Sequence, residues 1–508
     1  MTASTLHNVG SWLPRWARIA GGRPAVVDEE RRLDYAALDE RSARAAGWLA
    51  ARGVGPGDRV VVLLQTSSPY LEAVFAAARL GAIAVPVNHQ LAPPELRYVL
   101  EDCRPGAILH EQALSEKLSA TGLVPPEASL ALDDAGSWEA ALAGSPPRPE
   151  VHPCRPGDAC LLMYTSGTTG VPKGALLPHR KSLYNCLNAQ LFFELTGADR
   201  VLVVLPLFHS FGLQILALPV LYAGGCVVLR RSFDAEGVWR AVESEGISFL
   251  GGVPTMYRDL LHVLDSRPGS FQPGSLRFLF TAGAAIPIEL IHGFERHGLV
   301  LKQGFGQTET SILYCLDEKD AVRKAGSVGR PVFHAEVRVV SLPSLERSPA
   351  QWEDTAPGER GEIVVHGPIT MLGYWNQPEE TERVLRDGWL RTGDLAIRDA
   401  EGFVTLAGRS RELYISGGEN VYPAQVEATY LEHPTIREIA VVGVADERWG
   451  EVGRAYLVLE DEAELDAGAL TAWGRERLAA FKLPRSWVAL PSLPRTASGK
   501  VQKHLLQG

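Results

Sequence analysis

CLLMYTSGTTGVPKGA, Cys160–Ala175, opens with five apolar residues. It then gathers Thr165, Ser166, Thr168 and Thr169 around Gly167, Gly170 and Gly174, with one lysine, Lys173. The apolar run reads as a buried strand. The residues after it have little to pack: short hydroxyls, glycines and a single cation suit a loop that surrounds an anion with hydroxyl and backbone N–H donors. Downstream, HRKSLYNCLNAQLFFEL (His179–Leu195) sets Leu183, Leu187 and Leu191 on one helical face. A strand, a glycine- and hydroxyl-rich loop and then a helix is the layout of a phosphate cradle. A Walker loop is excluded, because that pattern needs Gly-Lys-Ser/Thr and here Lys173 precedes Gly174.

The same alternation recurs on both sides of this segment. RVVVLLQ (Arg59–Gln65) is followed by SPYLEAVFAAARLG (Ser68–Gly81), whose apolar spacing is helical and which ends in glycine. VLVVLP (Val201–Pro206), CVVLRR (Cys226–Arg231), ISFLGGVP (Ile247–Pro254) and RFLFTAG (Arg277–Gly283) read as buried strands separated by helices. Continuous apolar strands linked in this way predict parallel-rich sheets covered on both faces, an α/β class. After about residue 335 the texture changes: AEVRVVS and GEIVVHG are shorter β segments of a smaller β subdomain. Beyond AGRSREL a helix, two strands and a second helix come in turn, which predicts a small α+β domain. The expected division is residues 1–408, a large N-terminal domain, and residues 409–508, a small C-terminal domain.

A chain of 508 residues exceeds what one hydrophobic core usually supports, in keeping with two domains. The formal net charge of −10 argues against a general nucleic-acid binder. Six cysteines are scattered with no CxxC pair, which predicts reduced thiols in a cytoplasmic protein rather than a disulfide framework or zinc site. The N-terminus lacks the uninterrupted apolar core of a signal peptide. The greasiest run, ILALPVLYAGGCVVL (Ile215–Leu229), holds Pro219 and a Gly-Gly pair, so a buried helix–turn–strand fits better than a membrane span of about 20 residues.

Seven ordered motifs resemble the adenylate-forming superfamily, which includes acyl-CoA synthetases, peptide-synthetase adenylation domains and beetle luciferase. After YTSGTTGVPKG come PLFHSFG (Pro206–Gly212), TAGAAIP (Thr281–Pro287) and GFGQTE (Gly304–Glu309). Further along stand GYWNQPEET with DGWLRTGDLA (between Gly373 and Ala396), GRSRELYISGGENVYPAQVE (Gly408–Glu427) and PRTASGKVQK (Pro494–Lys503). The resemblance spans nearly the whole chain. It implies an acid–thiol ligase that joins a carboxylate to ATP, releases pyrophosphate and passes the acyl-adenylate to CoA.

Carried over residue by residue, the resemblance assigns the loop Thr165, Ser166, Gly167, Thr168, Thr169 and Gly170, with Lys173, to the β- and γ-phosphates. Glu309 and Thr168 would hold Mg2+. Gly283, Ala284 and Ala285 would line the adenine, and Phe305 would stack on it; many relatives carry tyrosine there. Gly304, Gly306, Gln307 and Thr308 complete that side. Asp394 would bind the ribose diol and Arg409 the ribose or phosphate. Lys500 would bridge carboxylate and α-phosphate during adenylation, because the transition state gathers negative charge there. A hinge is expected at Arg411, where relatives often have Asp or Lys.

His209, Phe211 and Gly212, with Gly283 and Gly304, are the acyl-site candidates, and His209 would border the carboxylate. Amino-acid-activating relatives present an aspartate shortly after this segment. LFHSFGLQI has none, so the acid is expected to lack an α-amino group: a medium- or long-chain fatty acid, within fatty acid metabolism, or an aromatic acid. The SFDAEG further on reads as a helix cap. Glu419, Trp449 and Phe481 match positions bordering the pantetheine tunnel, and no carrier domain follows residue 508, so CoA is the expected acceptor. An enzyme loading a separate carrier protein is the alternative. A luciferase-like oxygenase and a non-catalytic nucleotide binder share the motifs, but they require a luciferin or the absence of turnover. Oligomeric state is not encoded in these motifs; a homodimer stays open.

Overall fold

Val60, Val61, Val62 and Leu63 are all buried, so the strand they build, Arg59–Leu63, is covered on both faces. The computed structural model describes residues 2–506 except 124–126, 133–135, 166–171, 284–285, 410–411, 413, 417–418, 447–448, 462, 479 and 497–498; at 409, 415, 419 and 420 only the backbone is described. The chain divides into two compact units. The first comprises residues up to Thr165, Pro172–Glu336 and Val365–Leu390; the second includes Val337–Val364 and the chain from Arg391 onward.

In the first unit Arg59–Leu63 lies in a seven-stranded sheet. Its order is Gly373–Tyr374, Lys173–Pro178, Ala159–Thr165, Ile83–Pro86, Arg59–Leu63, Ala107–Glu111 and Ala128–Leu132. The last five run parallel, and each of the first two is antiparallel to the strand that follows it in this order. A nine-stranded sheet runs from Arg330–Pro331 through Ser311–Cys315, Leu301–Gln307, Phe278–Thr281, Phe249–Gly252, Arg200–Val203, Cys226–Leu229 and Pro24–Val27 to Arg32–Asp34. It is parallel throughout its middle and antiparallel at both edges. The expected strands are all present, and the α/β class is the observed one. Ser68–Leu80 is the expected helix; Gly81 ends it at φ 72°, in the left-handed region that favours glycine.

Two local readings are corrected. Between the phosphate loop and the helix His179–Phe193 an extra strand intervenes, Lys173–Pro178, antiparallel to Ala159–Thr165 with Thr165 opposite Lys173. The helix also turns a different face inward. Leu183 and Leu187 are only half-buried and Leu191 is 55% exposed, while Lys181, Ser182, Asn185 and Asn188 are buried. The Ile215–Leu229 run is the expected helix–turn–strand, entered through a π-helix at Phe211–Ala217. Asp234 is the expected cap, accepting from Gly237 N at 2.7 Å.

The second unit carries the smaller β region, where Val404–Arg409 pairs antiparallel with Trp389–Arg398. Its terminal part is α+β: strands Glu419–Val421, Tyr414–Ser416, Gly450–Leu459 and Ile436–Asp446 in that order, with Ser486–Ala489 parallel to Gly450–Leu459. Helices Pro423–Leu431 and Ala467–Arg475 contribute Val426, Tyr430 and Leu470 to a core with Tyr414, Val441 and Leu457. All six cysteines are buried and free. Among the described residues no helix is long and apolar enough to cross a membrane.

Candidate active site

Asp102 ties two of the motif segments together. Its Oδ2 accepts from Tyr164 Oη at 2.6 Å, its Oδ1 from Asn376 Nδ2 at 3.0 Å, and its carbonyl from Trp375 Nε1 at 3.1 Å. Burial and then the Asp102 hydrogen bond push the Tyr164 phenol far above its ordinary pKa. Trp375 N donates to Gly174 O at 2.7 Å, which adds Gly373–Tyr374 to the edge of the Lys173 strand. The strands Lys173–Pro178 and Gly373–Tyr374, some 200 residues apart, are thereby neighbours at one side of the sheet.

Lys173 is buried at that edge. Its Nζ pairs with Glu380 and lies 5.5 Å from the centre of the Tyr374 ring. Tyr374 Oη donates to Glu309 Oε1 at 2.9 Å, and Met371 N donates to the Glu309 carbonyl at 2.8 Å. Lys173, Tyr374 and Glu309 therefore form a continuous contact chain. The family motifs point to Lys173 and Glu309; Tyr374 and Glu380 lie within a motif that gives them no role. Of the loop between the strands, Ser166, Gly167, Thr168, Thr169 and Gly170 lie outside the described residues, as do Ala284 and Ala285.

Glu309 and Thr308 sit on the turn of the hairpin Leu301–Gln307/Ser311–Cys315. Thr310 closes the turn: its N donates to Gln307 O at 3.2 Å, and its Oγ1 accepts from Gln307 N at 3.3 Å. A bulge follows Phe305, and a Cβ on Gly306 would meet the Ser311 carbonyl oxygen at 2.0 Å, so the close approach there requires glycine. Phe305 is nearly buried, its ring 6.4 Å from that of Tyr314. Below the turn, Lys181 Nζ donates to Ser311 Oγ at 2.5 Å. Burial pulls the Lys181 ammonium down to about 7, with the Glu309 charge opposing.

His209 stands just before the π-helix. Its Nδ1 accepts from Phe211 N at 3.2 Å, which leaves Nε2 to carry the proton of the neutral ring. At Gly212 a Cβ would meet the Pro206 carbonyl at 2.6 Å. Phe211 and Phe280 meet edge to face at 5.8 Å, and Phe280 ring carbons stand 2.7 and 2.8 Å from where a Gly304 Cβ would be. Gly283 is exposed with φ 88°.

In the second unit Asp394 is buried, its Cα opposite that of Arg409, and its N donates to Thr392 Oγ1 at 3.1 Å. The side chain of Arg409 and all of Arg411 lie outside the described residues. Lys500 sits at a tight turn. Thr496 N donates to Lys500 O at 2.7 Å, and Lys500 N to Thr496 Oγ1 at 3.1 Å. Arg495, another residue without a sequence assignment, reaches Gly499 O with Nη1 at 2.6 Å and Glu438 with Nη2 at 2.7 Å. Ser416 pairs with Glu419 on one side and with Gly450, next to Trp449, on the other, so Glu419 and Trp449 share one end of the terminal sheet. Phe481, on the turn Ala480–Lys482, packs half-buried against the core under that sheet.

The profile of AMP-binding enzymes matches residues 13–375, and that of the AMP-binding enzyme C-terminal domain matches residues 425–500. The chain belongs to the AMP-binding enzyme family. It is 41% identical over 498 residues to the feruloyl-CoA synthase of an Amycolatopsis species, covering 98% of each chain. It is 40% identical over 507 residues to the indoleacetate–CoA ligase of Aromatoleum aromaticum, covering 97% of this chain and 96% of the relative. The o-succinylbenzoate CoA synthetase of Bacillus subtilis, solved with its acyl-adenylate intermediate, superposes with a TM-score of 0.86 at 33% identity, covering 98% of both chains. The same enzyme solved with ATP and magnesium ion gives the same score, covering 97% of this chain and 98% of that one. These matches put the chain in the acid–CoA ligase branch of the family, an ATP-dependent ligase working through an acyl-adenylate.

Proposed function

We propose that this acid–CoA ligase activates an aromatic or arylalkyl carboxylate without an α-amino group and transfers the acyl group to CoA. The observation that carries the choice of acid is the Phe280 ring. It packs over Gly304 and stands against Phe211, so the small residue expected to border the acyl chain has aromatic surface against it. At Gly251 a Cβ would likewise meet Leu216 and Phe211 carbons at 2.7–3.1 Å. Such a wall favours a short flat ring over an extended chain. The relatives named for feruloyl and indoleacetate substrates support the same reading.

In this reading Lys173, the loop hydroxyls and the backbone N–H groups from Thr165 to Gly170 hold the pyrophosphate that leaves. Phe305 stacks on adenine, Asp394 binds the ribose diol and Arg409 reaches the ribose or phosphate. Among the described residues no cluster of three or more His, Cys, Asp or Glu could hold a metal. A lone carboxylate such as Glu309 fits a magnesium that takes most of its ligands from phosphate and water, with Thr168 alongside. Magnesium would neutralise the charge that develops on the phosphates. His209 borders the substrate carboxylate as it attacks the α-phosphorus, and Lys500 bridges the two anions. After a swing about a hinge at Arg411, between domains 1–408 and 409–508, Glu419, Trp449 and Phe481 border the pantetheine arm. A cytoplasmic setting suits the six free thiols.

Pyrophosphate release measured over a panel of acids with ATP, magnesium and CoA tests the substrate class. Hydroxycinnamates and arylacetates should exceed octanoate and palmitate in kcat/KM by about tenfold or more. The reverse order sinks the aromatic assignment. Phe280→Leu should narrow the gap.

A further inference from the structure

Lys181 is a fully buried lysine that no step of the proposed reaction uses. It lies in the first turn of the helix His179–Phe193, on the polar face turned inward, and its side chain has no exposed surface. Ser311 Oγ accepts from its Nζ at 2.5 Å. An ammonium in such a place costs several kcal/mol of desolvation, and a hydrocarbon of the same length would avoid that cost. The hairpin across from it gives a reason for a polar donor there. Ser311 is two residues from Glu309 and ends the turn that carries it. Its backbone is at φ 64°, a conformation that a serine holds only when its surroundings impose it. The adjoining Ile312 N donates to Asn185 Oδ1 at 3.4 Å, from the next turn of the same helix. Lys181 and Asn185 thus anchor the hairpin from beneath, while Tyr374 grips the Glu309 carboxylate from the other side at 2.9 Å.

We infer that Lys181 is a positioning residue for Glu309: through Ser311 it fixes the turn so that the carboxylate is presented at one place to the magnesium–nucleotide complex. This rests on the reading of Glu309 as the carboxylate beside magnesium, and the test separates the two. ATP affinity is measured by calorimetry with and without magnesium for the intact chain, Glu309→Gln, Lys181→Met, Ser311→Ala and the double variant Lys181→Met/Glu309→Gln. The apparent KM for Mg·ATP, for the acid and for CoA is measured alongside.

Glu309→Gln should lose most of the magnesium-dependent gain in ATP affinity. Lys181→Met should lose about tenfold of it and raise the KM for Mg·ATP by a similar factor, leaving the KM for CoA within about twofold. In the Glu309→Gln background Lys181→Met should add less than about twofold, because the lysine acts through the carboxylate. If Glu309→Gln leaves the magnesium effect intact, the magnesium role of Glu309 falls. If Glu309→Gln abolishes it and Lys181→Met only lowers Tm, Glu309 keeps its role and Lys181 is structural. Should Lys181→Met fail to fold, Ser311→Ala removes the link while leaving the lysine. A loss of about threefold or more in the magnesium effect upholds the inference, and an unchanged effect overturns it.

Discussion

His179, the first residue of the helix that follows the Lys173 strand, illustrates what one buried side chain does to the whole chain's response to pH. Its Nδ1 accepts from Val9 N at 3.2 Å and burial pulls its pKa down to about 4. In the unfolded chain the ring titrates near its ordinary 6.5. Between those two values the unfolded state binds the extra proton, so the stability this neutral ring contributes is complete above about pH 6.5. It is lost as pH falls toward 4, by at most about 3 kcal/mol. His179→Gln should therefore flatten the fall in Tm between pH 6.5 and 4 relative to the intact chain, measured by calorimetry; parallel curves would show that the ring is protonated in the fold. At this scale the sequence showed Lys173 and Glu309 through their motif neighbours. It hid Tyr374, Glu380 and Ser311, because their bonds to Glu309, Lys173 and Lys181 span 65, 207 and 130 residues. Local spacing carries no trace of such partners.

Among the elements, strands were easier to read than the faces of helices. Fully buried β-branched runs such as Val60–Val62 have few other ways to pack, whereas Leu183, Leu187 and Leu191 mimic a core stripe and lie outward. The inward face of that helix is polar because it packs against the hairpin and the π-helix: Asn185 Nδ2 donates to Gln214 O, and Ser182 shares hydrogen bonds with Gln214. The strand Lys173–Pro178 escaped notice because Pro172, Gly174 and Pro178 punctuate it; Gly373–Tyr374 pairs with it only at Ala175 and Leu176, so Pro178 interrupts no ladder on that side. The turn holding Lys500 makes a prediction about an element. Arg495 bonds the Gly499 carbonyl while Glu438 holds the guanidinium, so Arg495→Ala loosens the turn without touching the ammonium. Losing this charge-assisted bond should slow acyl-adenylate formation about tenfold. Thioester formation from supplied acyl-adenylate should stay within about twofold. Equal losses in the two single-turnover assays would mean that Arg495 supports the domain and not the lysine.

The whole molecule serves two reactions whose polar demands differ. Adenylation brings one anion onto another and needs cations at the α-phosphorus, whereas thioester formation needs a channel that admits a thiol and lets AMP leave. Lys500 and Trp449 belong to the same compact unit, Lys500 on the turn closed by Thr496 and Trp449 at the tip of the long hairpin Ile436–Asp446/Gly450–Leu459. Trp449 is 37% exposed although it is among the largest apolar side chains, as suits a wall for an arriving pantetheine chain. If each residue serves one half-reaction, their effects separate cleanly. Lys500→Ala should lower acyl-adenylate formation by at least about 10²-fold and leave CoA attack on supplied adenylate within about threefold. Trp449→Ala should raise the KM for CoA by about tenfold and leave pyrophosphate release in a single turnover unchanged. The double variant should show both defects multiplied, since the two residues act on different steps. If Lys500→Ala slows both steps alike, one fixed arrangement of the terminal domain serves the entire reaction, and the assignment of Trp449 to the thiol channel loses its basis.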